Sequence, residues 1–315
     1  MNIKLSFFII LQLLSIYYVT AAPPSNIYSY TVDSTDTNFV MTVVNIATGA
    51  VNSTTLPIFQ NGMWFDRFLG VDDNDNFLIL VENKKGALGV ATISPAGELL
   101  NAPVYAGPIA TSYQWYYTSY QYDSGRDAVY FVVSGLRIFV YDLANSSTDI
   151  VQLSGMQDRF HNTPNGCFDG VDSYYVLDIT DDNFSKFQLS RYSFADQKQH
   201  DTLNVTGIAP NSDTYLFCAN KQVYALAYNI IDTTSLSLYL LDTDQASATL
   251  SYQVQDTGIQ NSLNLWFSDN YFVLPILSSD NHYYLTTVDL NTNQVVSKTE
   301  VKGPFTSNPD ISGVY

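Results

Sequence analysis

The most concentrated set of reactive side chains lies at 158–162, where Asp158, Arg159 and His161 are close neighbours along the chain. An imidazole that a carboxylate orients can act as a general base, so this segment is a candidate catalytic site. However, no nucleophile motif stands beside the segment, and the chain has no Gly-x-Ser-x-Gly pattern. We therefore favour the alternative, in which these polar side chains hydrogen-bond locally within a loop.

Aspartates offer a second kind of chemistry, because calcium is held by six to eight oxygen ligands. The candidate metal ligands are Asp181, Asp182, Asp232 and Asp280. They come from separate parts of the chain, so their spacing does not define a site. The three histidines are scattered and lack the spacing of a zinc site. We predict that the protein has no cofactor, with calcium as the alternative.

The segment 72–76, Asp-Asp-Asn-Asp-Asn, is similar in composition to a calcium-binding loop. Such a loop needs Gly at its sixth position and Glu at its twelfth. Phe77 stands at the sixth position here, and no Glu follows at the twelfth. The segment is therefore predicted to be a tight turn between two strands.

Composition excludes several classes of partner. The chain has 315 residues and a formal net charge of −17, with a sequence pI of about 4.2. It has no basic stripe that could release counterions from nucleic acid, and its charge disfavours an anionic membrane surface. With 46 % hydrophobic residues it can bury a large core. Its abundant Tyr, Val, Thr and Phe favour β-structure over helix.

The first residues are predicted to be a secretory signal peptide. Lys4 precedes an apolar run that ends at Val19, and Thr20 and Ala21 supply a plausible cleavage site. The alternative is an uncleaved membrane anchor, but the apolar run is short for a span of about 20 residues. We predict that residues 1–21 are removed and that 22–315 form one domain with no membrane span. The expected destination is extracellular, with the endolysosomal lumen as a second destination.

Secretion gives meaning to four N-glycosylation sequons. The acceptor residues are Asn52, Asn145, Asn183 and Asn204. Short sequons also arise by chance in a chain rich in Asn, Ser and Thr. We nevertheless predict a glycoprotein.

A hairpin pattern recurs along the chain, in which an apolar strand ends at a short polar residue before a turn. The polar anchors are Asn45, Thr92, Asp142, Ser193, Asp242 and Asp289, spaced by 47, 50, 51, 49 and 47 residues. A short polar side chain can accept hydrogen bonds from the backbone of such a turn. A period of 40–50 residues made only of strands indicates the blades of a β-propeller. We predict an all-β, six-bladed propeller.

Each repeat has room for four strands, a to d from the channel outward. Before the first anchor only two strands fit, at 27–32 and 39–46. One short segment, 308–315, remains after the last repeat. We predict that this C-terminal strand completes the N-terminal blade as its strand a, because an open edge would promote aggregation.

The inner hairpin at 70–80, Gly-Val-Asp-Asp-Asn-Asp-Asn-Phe-Leu-Ile-Leu, resembles that of NHL-type and gluconolactonase-like six-bladed propellers. The resemblance covers one hairpin per blade and is clearest in the second blade. It supports the architecture and implies no activity by itself. A calcium-dependent hydrolase or lactonase with a site at the channel mouth is what the six-bladed resemblance would allow.

The three tryptophans, Trp64, Trp115 and Trp266, lie near the start of a predicted strand a in different blades, and each is followed by another aromatic residue. Aromatic side chains beside polar loops at a channel mouth can stack on sugars. Packing between blades is the alternative, and we favour it.

The two cysteines, Cys167 and Cys218, fall on strands a of adjacent blades. An oxidising compartment would permit a disulfide. The predicted register offsets them by about three residues, which would place their Cα atoms beyond the limit of ~7 Å for a bridge. We therefore favour two buried thiols over a disulfide.

No catalytic set emerges, so we predict a secreted, glycosylated binding module for a glycan or protein ligand. One alternative is the calcium-dependent hydrolase or lactonase. The other is a structural component of an extracellular matrix or coat.

Overall fold

A computed structural model describes residues 23–32, 38–56, 62–103 (except 73 and 86), 105, 121–155 (except 124, 134–136, 143 and 146), 165–255 (except 232–234), 266–305 (except 269, 279 and 280) and 313–314. The described residues form six sheets, which confirms the predicted all-β propeller with six blades. None of these residues belongs to a helix long and apolar enough to cross a bilayer.

Each of the first three blades is one sheet. The first contains β1 (Asn26–Val32), β2 (Phe39–Asn45) and β3 (Val51–Leu56). The second contains β4 (Trp64–Val71), β5 (Phe77–Glu82), β6 (Leu88–Ile93) and β7 (Leu99–Asn101). The third contains β8 (Gln121–Asp123), β9 (Ala128–Val133), β10 (Arg137–Asp142) and β11 (Ser147–Gln152).

The last three blades follow the same order. The fourth contains β12 (Asn165–Phe168), β13 (Ser173–Ile179) and β14 (Phe187–Ser193), with β15 (Lys198–Gln199) and β16 (Leu203–Val205) both paired to β14. The fifth contains β17 (Ser212–Ala219), β18 (Gln222–Asn229), β19 (Ser235–Asp242) and β20 (Ser247–Gln255). The sixth contains β21 (Trp266–Ser268), β22 (Tyr271–Leu277), β23 (Tyr283–Asp289) and β24 (Gln294–Glu300).

The repeated polar anchors act as the sequence predicts. Asn45 Oδ1 accepts a hydrogen bond from the backbone N–H of Thr48 at 2.9 Å, and Asp142 Oδ1 accepts one from Asn145 at 2.9 Å. Asp242 and Asp289 accept equivalent bonds, and Ser193 Oγ does so at 3.2 Å. In the second blade this role passes to Ser94, whose Oγ accepts from the N–H of Glu98 at 3.1 Å. The repeat is therefore a repeat of turn chemistry.

The turn at 72–76 is also confirmed. Asp72 Oδ1 accepts hydrogen bonds from the backbone N–H groups of Asn74 and Asn76 at 2.8 and 2.9 Å. Asp75 has a φ of 60°, in the left-handed region that Asp and Asn tolerate. The Asp72 carboxylate is therefore directed into its own turn between β4 and β5.

The cores lie between blades, where the faces of neighbouring sheets meet. Stacked rings join successive blades, with Tyr130 and Phe168 at 4.2 Å between the third and fourth and Phe217 and Phe267 at 4.6 Å between the fifth and sixth. The ring also closes through packing, because Val273 and Leu285 of the sixth blade share a cluster with Ile27 of the first. Much of the aromatic content therefore serves blade packing.

The closing strand differs from the prediction. β25 (Gly313–Val314) pairs in parallel with β21 in the sixth sheet, and it also lies against β4, β8 and β17. A segment that contacts the innermost strands of four blades lies in the central channel. Among the described residues it does not pair with β1. Because β25 lies close to the inner strands of several blades, its short sequence alone does not determine which strand it pairs with.

The cysteine prediction is corrected. Cys167 on β12 and Cys218 on β17 form a disulfide, with their Cα atoms 5.4 Å apart. The register is set by buried Asn165, whose Nδ2 donates to Thr214 O at 2.6 Å and whose Oδ1 accepts from Leu216 N–H at 2.5 Å. These bonds place 165 opposite 215 and bring the two cysteines together. An offset counted from the turn anchors missed this local alignment.

Candidate functional site

A cavity of about 550 Å³ lies at the rim where the sixth blade meets the first. One wall is the end of β22 and the following turn, with Leu277, Asn281, His282 and Tyr283; the other is the segment 300–305. We call this space the rim cavity. It has the size of small-molecule sites, which are about 300–1,000 Å³.

Local backbone bonds form the first wall. Ser278 N–H donates to His282 O at 2.9 Å, and Asn281 N–H donates to Ser278 O at 2.9 Å, which closes the turn between β22 and β23. Asn281 has a φ of 65°, a conformation that Asn adopts at little cost. This turn directs His282 toward the end of β24.

An imidazole and a carboxylate meet in the rim cavity. His282 Nδ1 and Glu300 Oε1 are 2.6 Å apart, and the side chains are 55 % and 45 % exposed. At such exposure an ion pair contributes about 0–1 kcal/mol to stability, so its main effect is to orient the two groups. With Nδ1 donating to the carboxylate, the imidazole is held in one orientation facing the cavity.

The second wall is held by the first blade. Lys302 N–H donates to Gly49 O at 2.7 Å, and a Cβ at Gly49 would lie 1.8 Å from Glu300 O. Gly49 also has a φ of +69°, so both the close approach and the backbone conformation require glycine. Segment 300–305 is therefore positioned by a turn of the neighbouring blade.

Aromatic rings complete the lining. Tyr283 and Phe305 contact edge to face, with ring centroids 5.1 Å apart and an interplanar angle of 80°. Val301 N–H donates to Tyr283 O at 2.9 Å, which holds the ring pair between the two walls. The cavity thus combines an apolar ring surface with amide, imidazole, carboxylate and ammonium groups.

The lining of the rim cavity supplies several hydrogen-bonding groups. Among its described lining residues there is no Ser, Thr or Cys beside the His282–Glu300 pair. The polar groups present can donate to and accept from a hydroxyl-rich ligand.

Two side chains with shifted pKa values, those of Asp213 and Tyr215, lie at the start of β17. Burial raises the pKa of the Asp213 carboxyl above its ordinary value, although hydrogen bonds from Tyr215 and Thr214 oppose the shift. Tyr215 OH donates to Asp213 Oδ2 at 3.3 Å, and burial raises the pKa of that phenol as well. These groups sit beside the Asn165 bonds that join the fourth and fifth blades.

The candidate catalytic residues Asp158, Arg159 and His161 lie outside the described residues. Asp232 and Asp280 do so as well. The catalytic role of the first group and the metal-binding role of the second remain predictions.

Asp181 and Asp182 are described, and Asp181 caps its own turn. Its Oδ1 accepts from the backbone N–H groups of Ser185 and Lys186, both at 2.8 Å. Loss of solvation acts to raise its pKa, but bonds from Ser185 and Lys186 hold that pKa below its ordinary value. Across the part of the chain that the structure describes, no three His, Cys, Asp or Glu side chains are grouped to hold a metal.

The tryptophans are only partly described. Trp64 begins β4 and is 45 % exposed, and Trp266 begins β21, where its backbone pairs with Val273. Trp115 lies outside the described residues. Phe267, the residue after Trp266, is fully buried. Their role in ligand binding stays a prediction.

All four sequon asparagines are exposed. Asn52 lies on β3 and Asn204 on β16, while Asn145 and Asn183 lie in turns. An exposed amide is a requirement for glycosylation of a folded chain. Modification itself remains a prediction.

Sequence reasoning did not find the rim cavity. His282 and Glu300 are 18 residues apart, on either side of the Asp289 turn anchor. Pairing of β23 with β24 brings Tyr284 opposite Glu300, so folding the hairpin about its anchor carries the nearby His282 to Glu300. The pairing of β23 with β24 could have been inferred from the sequence. The contact of Glu300 with Gly49 could not, because it forms only when the first and sixth blades meet in the closed ring.

No protein-family model matches this chain, and no curated protein matches its sequence. Solved structures do match. An uncharacterized protein of Listeria monocytogenes EGD-e is 11 % identical, with a TM-score of 0.47, over 88 % of this chain and 79 % of that one. The Myceliophteria thermophila Cps50 (Swd1) β-propeller domain is 8 % identical, with a TM-score of 0.45, over 94 % and 91 %. An oligogalacturonate lyase in complex with manganese is 8 % identical, with a TM-score of 0.42, over 91 % and 88 %.

Proposed function

We propose that this protein is a secreted, N-glycosylated binding module that takes a carbohydrate ligand in the rim cavity. The observation that carries the proposal is the cavity of about 550 Å³ in which the Tyr283–Phe305 ring pair lies beside the His282–Glu300 pair. The propeller fold is compatible with such a binding role.

The chemistry of this lining matches that of a sugar. The apolar CH face of a pyranose packs on an aromatic ring, while its hydroxyls hydrogen-bond to carboxylate and amide oxygens. Glu300 accepts, Lys302 donates, and Asn281 does both. The exposed ammonium of Lys302 can add a charge-assisted hydrogen bond to a sugar hydroxyl.

Three observations support the extracellular part of the proposal. The first residues have the pattern of a signal peptide. The four sequon asparagines are exposed. The Cys167–Cys218 disulfide is compatible with an oxidising compartment. N-terminal sequencing of the protein recovered from culture medium tests cleavage after residue 21, and treatment with an amide-cleaving glycosidase tests the four sequons.

Binding is tested by probing an array of neutral and acidic oligosaccharides with the purified protein. For the oligosaccharide that binds, we expect Glu300→Gln to weaken the affinity by about tenfold, because it removes a charged acceptor. His282→Ala should weaken it similarly. Glu98→Gln changes the net charge equally at an exposed turn of the second blade, and it should leave binding unchanged.

The array result also separates this site from the tryptophan hypothesis. If Trp64→Ala abolishes binding while Glu300→Gln does not, the ligand is bound near the start of β4 and the rim-cavity proposal is wrong. If no oligosaccharide binds the folded protein, the carbohydrate assignment is wrong.

A further inference from the structure

A second cavity, of about 250 Å³, lies between the fourth and fifth blades. The fourth blade contributes Leu189, Arg191, His200, Asp201 and Leu203, and the turn after β19 contributes Thr243 and Asp244. It is separate from the rim cavity, and binding there would be independent of the function proposed above. We call it the zwitterion cavity.

One side of this cavity is cationic. Arg191 Nε donates to Ser173 Oγ at 2.9 Å, and the guanidinium carbon lies 5.9 Å from the ring centre of Tyr175. These contacts hold the guanidinium in place while using only one of its nitrogens. The Asp172 carboxylate interacts electrostatically with this guanidinium. No described residue accepts a hydrogen bond from its paired terminal nitrogens, and that pair matches the two oxygens of a carboxylate.

His200 adds an unsatisfied group. Its backbone N–H donates to Arg191 O at 2.8 Å, which fixes it next to that side chain. Its Nε2 is buried and has no hydrogen-bond partner within the described part of the chain. Buried polar atoms are nearly always paired, so this nitrogen is an unsatisfied hydrogen-bonding group on a residue that lines the cavity.

Two carboxylates make the other side of the cavity anionic. Asp201 follows the fourth blade's β15, and Asp244 belongs to the turn of the fifth blade. The N–H of Asp244 donates to Asp242 Oδ1 at 3.0 Å, so the turn anchor positions this residue. Both side chains are exposed, and they can accept hydrogen bonds from an ammonium group.

We propose that the zwitterion cavity binds an apolar α-amino acid. The ligand carboxylate pairs with Arg191, its ammonium pairs with Asp244 and Asp201, and its aliphatic side chain lies against Leu189 and Leu203. A ligand with a single charge would leave one of the two charged sets unpaired. A volume of about 250 Å³ suits a molecule of this size and is small for an oligosaccharide.

The test is titration calorimetry of the full mature chain with L-leucine at up to about 10 mM, where a ligand of millimolar affinity saturates its site. Two analogues isolate the charges, namely 4-methylpentanoate, which lacks the ammonium, and leucinamide, which lacks the carboxylate. We expect each analogue to bind at least about tenfold more weakly than leucine.

A pair of variants locates the site. Asp244→Asn should weaken leucine binding about tenfold, and its turn should be retained because the anchoring bond uses only its backbone N–H. Asp196→Asn alters the equivalent turn of the fourth blade, where the side chain is exposed and outside the cavity, and should leave binding unchanged. The proposal is overturned if folded protein shows no leucine binding, if 4-methylpentanoate binds as well as leucine, or if Asp244→Asn has no effect.

Discussion

The junction between the fourth and fifth blades and the junction between the sixth and first are alike at the rim and different near the axis. At the rim, Thr206 N–H donates to Ala246 O at 3.0 Å in one, and Lys302 N–H donates to Gly49 O at 2.7 Å in the other. In both, the end of one blade reaches the turn of the next. Each junction encloses a cavity, of about 250 and 550 Å³ respectively.

Near the axis the two junctions use different bonds. The fourth and fifth blades are joined by the Cys167–Cys218 disulfide and by the buried Asn165 amide. Among the described residues the sixth and first blades are joined by apolar packing, in which Val273 and Leu285 share a cluster with Ile27. The larger cavity is therefore found where closure of the ring does not depend on a covalent bond.

The largest expected effect is at the disulfide. Replacing both Cys167 and Cys218 with Ala should lower the free energy of unfolding by about 4 kcal/mol, because the bridge closes a loop across 51 residues of the unfolded chain. Denaturant unfolding of the oxidised wild type and the double variant measures this difference. If the loss is below about 1 kcal/mol, the fourth and fifth blades are held mainly by Asn165 and packing, and the contrast between the junctions is weaker.

Gly49→Ala tests the other junction. The new Cβ would lie 1.8 Å from Glu300 O, and the φ of +69° disfavours any side chain. We expect a loss of about 2–4 kcal/mol, together with weaker binding of any rim-cavity ligand. Gly62→Ala is the matched control, since Gly62 has a φ of +71° but nothing within 4 Å of the new Cβ.

That control should cost about 1 kcal/mol, which is the conformational term alone. If the two glycine variants lose equal free energy of unfolding, the turn at Gly49 moves away from Glu300 at no cost. The first blade would then not position the segment 300–305.

The turn anchors should behave alike at both junctions. Asn45→Ala affects the turn that meets the sixth blade, and Asp242→Ala affects the turn that meets the fourth. Each change removes a side-chain acceptor for turn N–H groups and should cost about 1 kcal/mol in denaturant unfolding. A large difference between them would show that a junction depends on its turn more than the shared geometry implies.

The smallest expected effect is a pH dependence beside Asn165. Burial raises the pKa of Asp213, so the folded protein binds this proton more tightly than the unfolded chain does. The free energy of unfolding should therefore fall as pH rises through the range above 3.8, the ordinary value for this carboxyl. Asp213→Asn should remove that part of the fall.

Unfolding of both proteins across pH 3.5 to 7 measures the difference between their slopes. Identical slopes for the wild type and Asp213→Asn would mean that water reaches the carboxylate at the start of β17. Solvent would then have more access to the Asp213 side chain than its burial indicates.

The fold was largely predictable because it repeats. The anchors from Asn45 to Asp289 encode a local event, a polar side chain capping the turn that follows it, and local chemistry can be identified along a sequence. The number of blades follows from that spacing. Thr92 is an exception, since Ser94 caps that turn, but a shift of two residues leaves the blade count unchanged.

What the sequence did not predict depends on contacts between blades. The pairing of Cys167 with Cys218 rests on the Asn165 bonds, and the position of β25 rests on which inner strand it meets at the axis. The rim cavity needs Gly49 to meet Glu300, although the two are far apart in sequence. Such contacts do not recur with the blade repeat, so the spacing of the anchors does not predict them.

Hydrogen–deuterium exchange of the mature protein, with and without the oligosaccharide identified on the array, tests the central claim most directly. The rim-cavity account predicts slower amide exchange on ligand addition in the turn at 278–283 and the segment 299–305, with a smaller effect at the Gly49 turn. Protection confined to the starts of β4 and β21, with none at 278–305, would place the ligand at the channel mouth and contradict the account.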